Sequence, residues 1–233
     1  TLDRMNKGVD EQTNIRALRA VRAVKGLRLH FGLMTFHPWT TMSEVLHNIR
    51  RIREEVLGMP LTGPEMLKRF LQVLEIYKGT PVYHLARKQG LIKAEPEFEQ
   101  WCCVYRLPRE AHLLLNFVQD GLSPLLAAHH RLYLCSLDLA SHGSGSVDRS
   151  LHSLHSRLEN YVLDSIEQYA TDLRSEVCEE ELAVRRRETR KNTMELIQQV
   201  ETLLRGSGTP SPSRNVDQTD EHFLGAADRI VSR

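Results

Sequence analysis

Residues 27–45 read Leu27-Arg-Leu-His-Phe-Gly-Leu-Met-Thr-Phe-His-Pro-Trp-Thr-Thr-Met-Ser-Glu-Val45, and their pattern decides the fold. The first nine partly alternate and then become continuously apolar, as in a strand that helices cover. After Pro38, Thr41-Met42-Ser43-Glu44 matches the capping box, in which a hydroxyl and a carboxylate satisfy free amides at a helix start. Val45, Ile49, Ile52 and Val56 then share one face beside Arg50, Arg51 and Arg53, so a helix follows the strand.

The same alternation extends in both directions. Upstream, Ile15, Leu18 and Val21 recur at helical spacing after Asp10, a good N-cap, and Gly26 is expected to end that helix. Downstream, residues 57–64 hold two glycines and two prolines and read as a loop, with a short helix over 65–70. Leu71 to Tyr77 reads as a second strand, ending at Lys78-Gly79-Thr80-Pro81. Pro81 suits the first turn of a helix that reaches Gln89 and stops at Gly90. Helix, strand, helix, strand, helix implies parallel strands joined by crossovers, hence an α/β sheet or barrel. Two strands cannot close a barrel, so further strands are expected before Thr1 and the chain reads as a fragment of a longer protein.

From Glu95 the character changes, and no proline occurs between Pro124 and Pro210. Residues 93–205 are therefore expected to form an α-helical domain after an α/β part over 1–92. Ala111 to Val118 and Leu122 to Leu139 are apolar on wide faces, and residues 141–146 form a Gly/Ser loop. Leu151, Leu154, Leu158, Tyr161, Ile166, Tyr169, Leu173 and Val177 predict a long amphipathic helix that continues to Leu204. Gly206 to Arg214 has linker composition, so 206–233 reads as a disordered tail.

The 233 residues carry 31 Lys+Arg against 30 Asp+Glu, and a net charge of +1 gives no reason to expect nucleic acid as a partner. No apolar run approaches the roughly 18 residues that cross a bilayer. Four cysteines, Cys102, Cys103, Cys135 and Cys178, are too few for a disulfide framework and suit a cytoplasmic protein.

Three segments carry a family resemblance in order and spacing. They are Leu2-Asp3-Arg4-Met5-Asn6-Lys7-Gly8, then Gly32-Leu33-Met34-Thr35-Phe36-His37-Pro38-Trp39-Thr40-Thr41, then Gly79-Thr80-Pro81-Val82-Tyr83. Over about residues 1 to 92 the chain resembles the C-terminal half of the partial β/α barrel of radical S-adenosylmethionine (radical SAM) enzymes. The phrase Phe36-His37-Pro38-Trp39-Thr40-Thr41 is closest to the branch that carries an N-terminal cobalamin-binding domain. The resemblance implies an intact enzyme that cleaves S-adenosylmethionine at a 4Fe-4S cluster, abstracts a hydrogen atom from a small-molecule substrate, and in that branch transfers a methyl group from cobalamin. It does not identify the substrate or any catalytic residue. The family's cluster loop, CxxxCxxC, is absent from this chain, which on its own is expected to hold no metal and to be inactive.

The resemblance also implies cofactor contacts. Lys7 stands where many members carry an Arg that pairs with the carboxylate of S-adenosylmethionine; a solvated turn lysine is the plain alternative. Gly32 and Met34 match the strand lying against the adenine, although a buried strand under a helix would need the same residues. Phe36 replaces a family glycine and Trp39 a family glutamate, so both are expected to shape a wider pocket or to meet another domain. His37, at the strand's C-terminal end, could hydrogen-bond cofactor or substrate, donate a proton near neutral pH, or be a polar rim residue. Gly79 and Thr80 are expected mainly to make the turn into the next helix.

His129-His130 and His152-x-x-His155 have ligand-like spacing, but no Glu or Cys nearby is expected to complete a metal site. Arg185 to Arg187, flanked by glutamates, reads as a salt-bridged solvated face. The rival reading is a non-catalytic helical protein-interaction module, which requires an exposed apolar stripe along Val147 to Leu204.

Overall fold

Asp10 opens the first helix, α1 (Glu11–Ala23), by accepting the Thr13 amide on its side chain at 2.7 Å. A computed structural model describes residues 8–24, 33–57, 68, 70, 72–98, 102–142 and 145–206, with the backbone alone over 136–142 and 145–149. Gly26, expected to stop α1, lies outside the described residues. Residues 33–36 are extended, and Phe36 forms a parallel bridge with Val73. Its amide donates to the Gln72 carbonyl at 3.3 Å, and its carbonyl accepts the Leu74 amide at 2.8 Å. Between these two extended segments lies α2 (Met42–Glu55), started by Thr41, whose hydroxyl accepts the Glu44 amide at 3.2 Å. The order is that of a parallel crossover unit.

Helix α3 (Pro81–Lys88) follows the second extended segment. Thr80 caps it by accepting the Tyr83 amide, and Pro81 fills a position whose amide would be unbonded in any case. Gly79 at φ +86 makes the turn before it and Gly90 at φ +67 the turn after it, a backbone region that glycine enters without steric cost.

Beyond α3 the chain departs from the helical expectation. Strand β1 (Ile92–Ala94) pairs antiparallel with β2 (Val104–Tyr105), and Cys102 bridges to Tyr77, while the Cys103 amide donates to the Ile76 carbonyl at 2.7 Å. Strands of three and two residues are too short to show a period of two. They extend the α/β part past residue 92.

Five helical pieces form the remaining layer among the described residues. Helix α4 (Arg109–Phe117) passes through a π-turn (Val118–Leu122) into α5 (Leu125–His142). Pro124 lacks an amide, and the Ser123 amide reaches back to Val118 at 3.0 Å, which widens the turn. Helix α5 runs to His142, where a Gly/Ser loop was expected from residue 141, and α6 (Gly145–Arg174) begins at Gly145.

The expected unbroken helix to Leu204 is instead two, α6 and α7 (Glu179–Gly206). Glu176 takes the left-handed φ of 54°, its amide donates to Leu173, and the Val177 amide donates to Asp172, so α6 ends in a Schellman motif. The chain then reverses. Arg157 meets Gln199, Tyr161 meets Thr193, and Asp172 meets Arg185, an antiparallel register. The α4–α5 arm lies antiparallel to α6 as well, with Phe117 stacked on Tyr169 at 4.0 Å and His129 beside His155.

A single hydrophobic core joins these parts, running from Phe36, Val45, Ile49 and Ile52 through Leu114 and Leu132 to Leu158, Ile166 and Val200. It crosses residue 92 without interruption. A smaller cluster of Ile76, Tyr83, Ala86, Cys103 and Tyr105 lies under the hairpin. Among the described residues no helix is long and apolar enough to cross a membrane.

Candidate functional site

The C-terminal ends of the two parallel segments lead into two turns, His37 to Thr41 and Tyr77 to Thr80, each of which starts a threonine-capped helix. Such ends are where β/α folds build their sites, because the loops there are free to vary while the strands hold them.

The first turn is held by side-chain bonds. Thr40, 2% exposed, accepts the His37 amide on its hydroxyl at 2.8 Å and donates that hydroxyl to the Thr35 carbonyl at 2.9 Å. His37 is 1% exposed; its Nδ1 accepts the Trp39 amide at 3.2 Å and its Nε2 lies 3.5 Å from a Glu44 carboxylate oxygen. The Trp39 indole N–H donates to the Gln89 side chain, tying this turn to the far end of α3.

The second turn carries charge and aromatic surface. The Tyr77 hydroxyl donates to Glu75, and that bond pushes the phenol up to about 12, so the group stays protonated at neutral pH and is no general base. Glu95 accepts the Tyr83 hydroxyl at 2.8 Å and lies near Arg87 at 3.4 Å and Lys78 at 3.8 Å. Together the turns make a polar, aromatic rim. Its side chains can shape or cover a ligand.

Of the residues expected to touch S-adenosylmethionine, Lys7 and Gly32 lie outside the described residues. Met34 is half-buried and remains compatible with a ligand contact. Phe36 has no exposed surface and belongs to the hydrophobic core, and His37 directs Nδ1 to Trp39 in its own turn and Nε2 toward Glu44 on α2. Gly79 and Thr80 make the turn and cap expected of them.

Sequence reasoning missed the hydroxyl of Tyr105, which reaches the parallel segments from β2, and the link from Trp39 to Gln89. Neither has a local signal, since the partners are 31 and 50 residues apart. It also missed a carboxylate beside the histidines. Glu159, four residues after His155, has an oxygen 3.7 Å from His155 Nδ1, and an i, i+4 search would have found it. No group of three His, Cys, Asp or Glu among the described residues is arranged to hold a metal ion.

Comparison with protein-family models, with curated proteins and with solved structures finds no match for this chain.

Proposed function

We propose that this chain is the closing part of a β/α barrel in a radical S-adenosylmethionine enzyme, with a helical layer packed on its outer helix. What supports the reading is the parallel pairing of Phe36 with Val73, with α2 in the connection and α3 directly after the second segment. The remaining strands, and the cysteines that would hold a 4Fe-4S cluster, belong in this reading to a preceding half of the same protein. When bound, the cluster and S-adenosylmethionine supply a hydrogen-abstracting radical, and cobalamin, in the branch that carries it, a transferable methyl group.

This chain's own part is positioning. Met34 offers an apolar face next to the strand end, and Trp39 and Tyr77 line the rim where a small-molecule substrate would enter. Phe36, His37 and Thr40 hold that rim in place from below. A cytoplasmic setting belongs to the same reading, supported by the absence of any disulfide among the four described cysteines.

The rival interaction module requires an exposed apolar stripe. The large apolar residues of α6 from Leu151 to Leu173 are instead buried or half-buried, and the exposed ones described on α7 are Val184 and Met194, ten positions apart.

The test is to express the chain together with the reading frame that precedes it, purify without oxygen, and reconstitute with iron and sulfide. A 4Fe-4S absorbance and reductive release of 5′-deoxyadenosine are expected. Met34→Glu should raise the KM for S-adenosylmethionine about tenfold, equivalent to about 1.4 kcal/mol, with iron content unchanged. A preceding frame without CxxxCxxC, or a protein that retains no iron, overturns the proposal.

A further inference from the structure

The helical layer buries a second polar cluster that the barrel reading does not use. His129 on α5 and His155 on α6 face each other with ring centroids 4.5 Å apart and planes tilted by 57°. His129 is 1% exposed, and its Nε2 meets no hydrogen-bond partner among the described residues. Glu159, 6% exposed, places a carboxylate oxygen 3.7 Å from His155 Nδ1. The titratable and charged groups around the pair are His152, His155 and Glu159 from α6, His130 and Arg131 on α5, and Glu201 from α7, which Arg131 holds at 3.1 Å.

Neutral, the two rings pack as flat, weakly polar groups between helices. Glu159 can balance one imidazolium, but a second would place two positive charges a ring's width apart, one of them on His129, which is closed to water, and the other on His155, which keeps 21% of its side chain exposed, so that their repulsion is only partly screened. We propose that the pair His129–His155 is a proton-operated latch: neutral, it closes α5 on α6, and protonated, it drives them apart and opens the helical layer before the rest of the fold.

The direction follows from linkage. Burial, with the neighbouring histidines, holds His129 down at about 3 and His155 at about 4, against an ordinary 6.5. Above pH 6.5 neither the closed nor the opened form binds these protons, and closure is at full strength. Between 6.5 and about 4 the opened form takes up protons that the closed form refuses, so closure weakens as pH falls, about tenfold per pH unit for each histidine.

Amide hydrogen exchange, corrected for the intrinsic pH dependence of exchange, reads this directly on the whole chain. The closed-to-open ratio for α5 should fall roughly fiftyfold per unit between pH 6 and 4.5, while α2, which packs on α6, and α3 keep their protection. His129→Leu should reduce that slope to about tenfold per unit, and so should His155→Leu. An unchanged slope in both variants, or loss of protection in α2 and α3 in step with α5, overturns the latch. Should the variants not fold, an NMR titration of the unmodified protein decides: a His129 imidazole that protonates near pH 6 in the closed form also overturns it.

Discussion

The hydroxyl of Tyr105 donates to the carbonyl of Leu74 at 2.8 Å, with the Phe36 carbonyl 3.4 Å away, so one phenol on β2 fastens the hairpin to both parallel segments. Its ring has no exposed surface, and burial pushes the phenol well above its ordinary value, which keeps the donor proton in place. Tyr105→Phe keeps the ring and removes the donor. It should lower stability to urea by about 1–2 kcal/mol, the cost of leaving a partly buried carbonyl without its partner. A change below about 0.5 kcal/mol would show that the Leu74 carbonyl finds another donor.

Thr40 spends its single hydroxyl twice, as acceptor for His37 and donor to Thr35, and all three residues are buried. Thr40→Val preserves shape and leaves two buried backbone groups without those bonds, so a loss of about 2–4 kcal/mol is expected in equilibrium unfolding. Thr40→Ser keeps the hydroxyl and should recover most of it. Equal losses in the two variants would mean that the methyl group, not the hydrogen bonds, holds the turn.

Helix α1 is fastened to α2 by Arg19, which forms a forked pair with Glu55, and by Glu11, which meets Arg51 and His47. The hydrogen bond from Arg19 holds the Glu55 carboxyl below its ordinary value of 4.5. A depressed carboxylate contributes stability that is present above 4.5 and lost as pH falls through the lower folded value. Glu55→Gln should therefore remove part of the acid sensitivity below pH 4.5 and loosen α1 at neutral pH, seen as faster exchange of the amides over 14–23. Identical acid limbs for variant and parent would dismiss the pair as a pH-dependent contact.

How much could be read beforehand divides along the range of the interactions. Asp10, Thr41 and Thr80 start helices where their side chains reach an amide three residues on, and Gly90 ends one where its positive φ is needed. Each is a contact within one turn, so the residues themselves carry the signal. The apolar period from Leu151 to Leu173 likewise announced α6 and the face it buries. The break at Glu176 had no such signal, because the left-handed position is held by a glutamate rather than a glycine. There the two helices gain by folding back on each other through Tyr161, Thr193, Asp172 and Arg185, and that gain outweighs a modest local backbone cost.

Residue types alone placed His37 at a strand end, yet only packing shows its nitrogens turned to Trp39 and Glu44. The hairpin of β1 and β2, the core that runs unbroken from Phe36 to Val200, and the meeting of His129 with His155 are likewise tertiary facts. The sequence by itself determined where helices begin and which faces they bury, since capping and amphipathic periodicity act over a few residues. Tertiary structure alone decided which distant groups share a site, because closing a long loop is favourable only once the whole core forms around it.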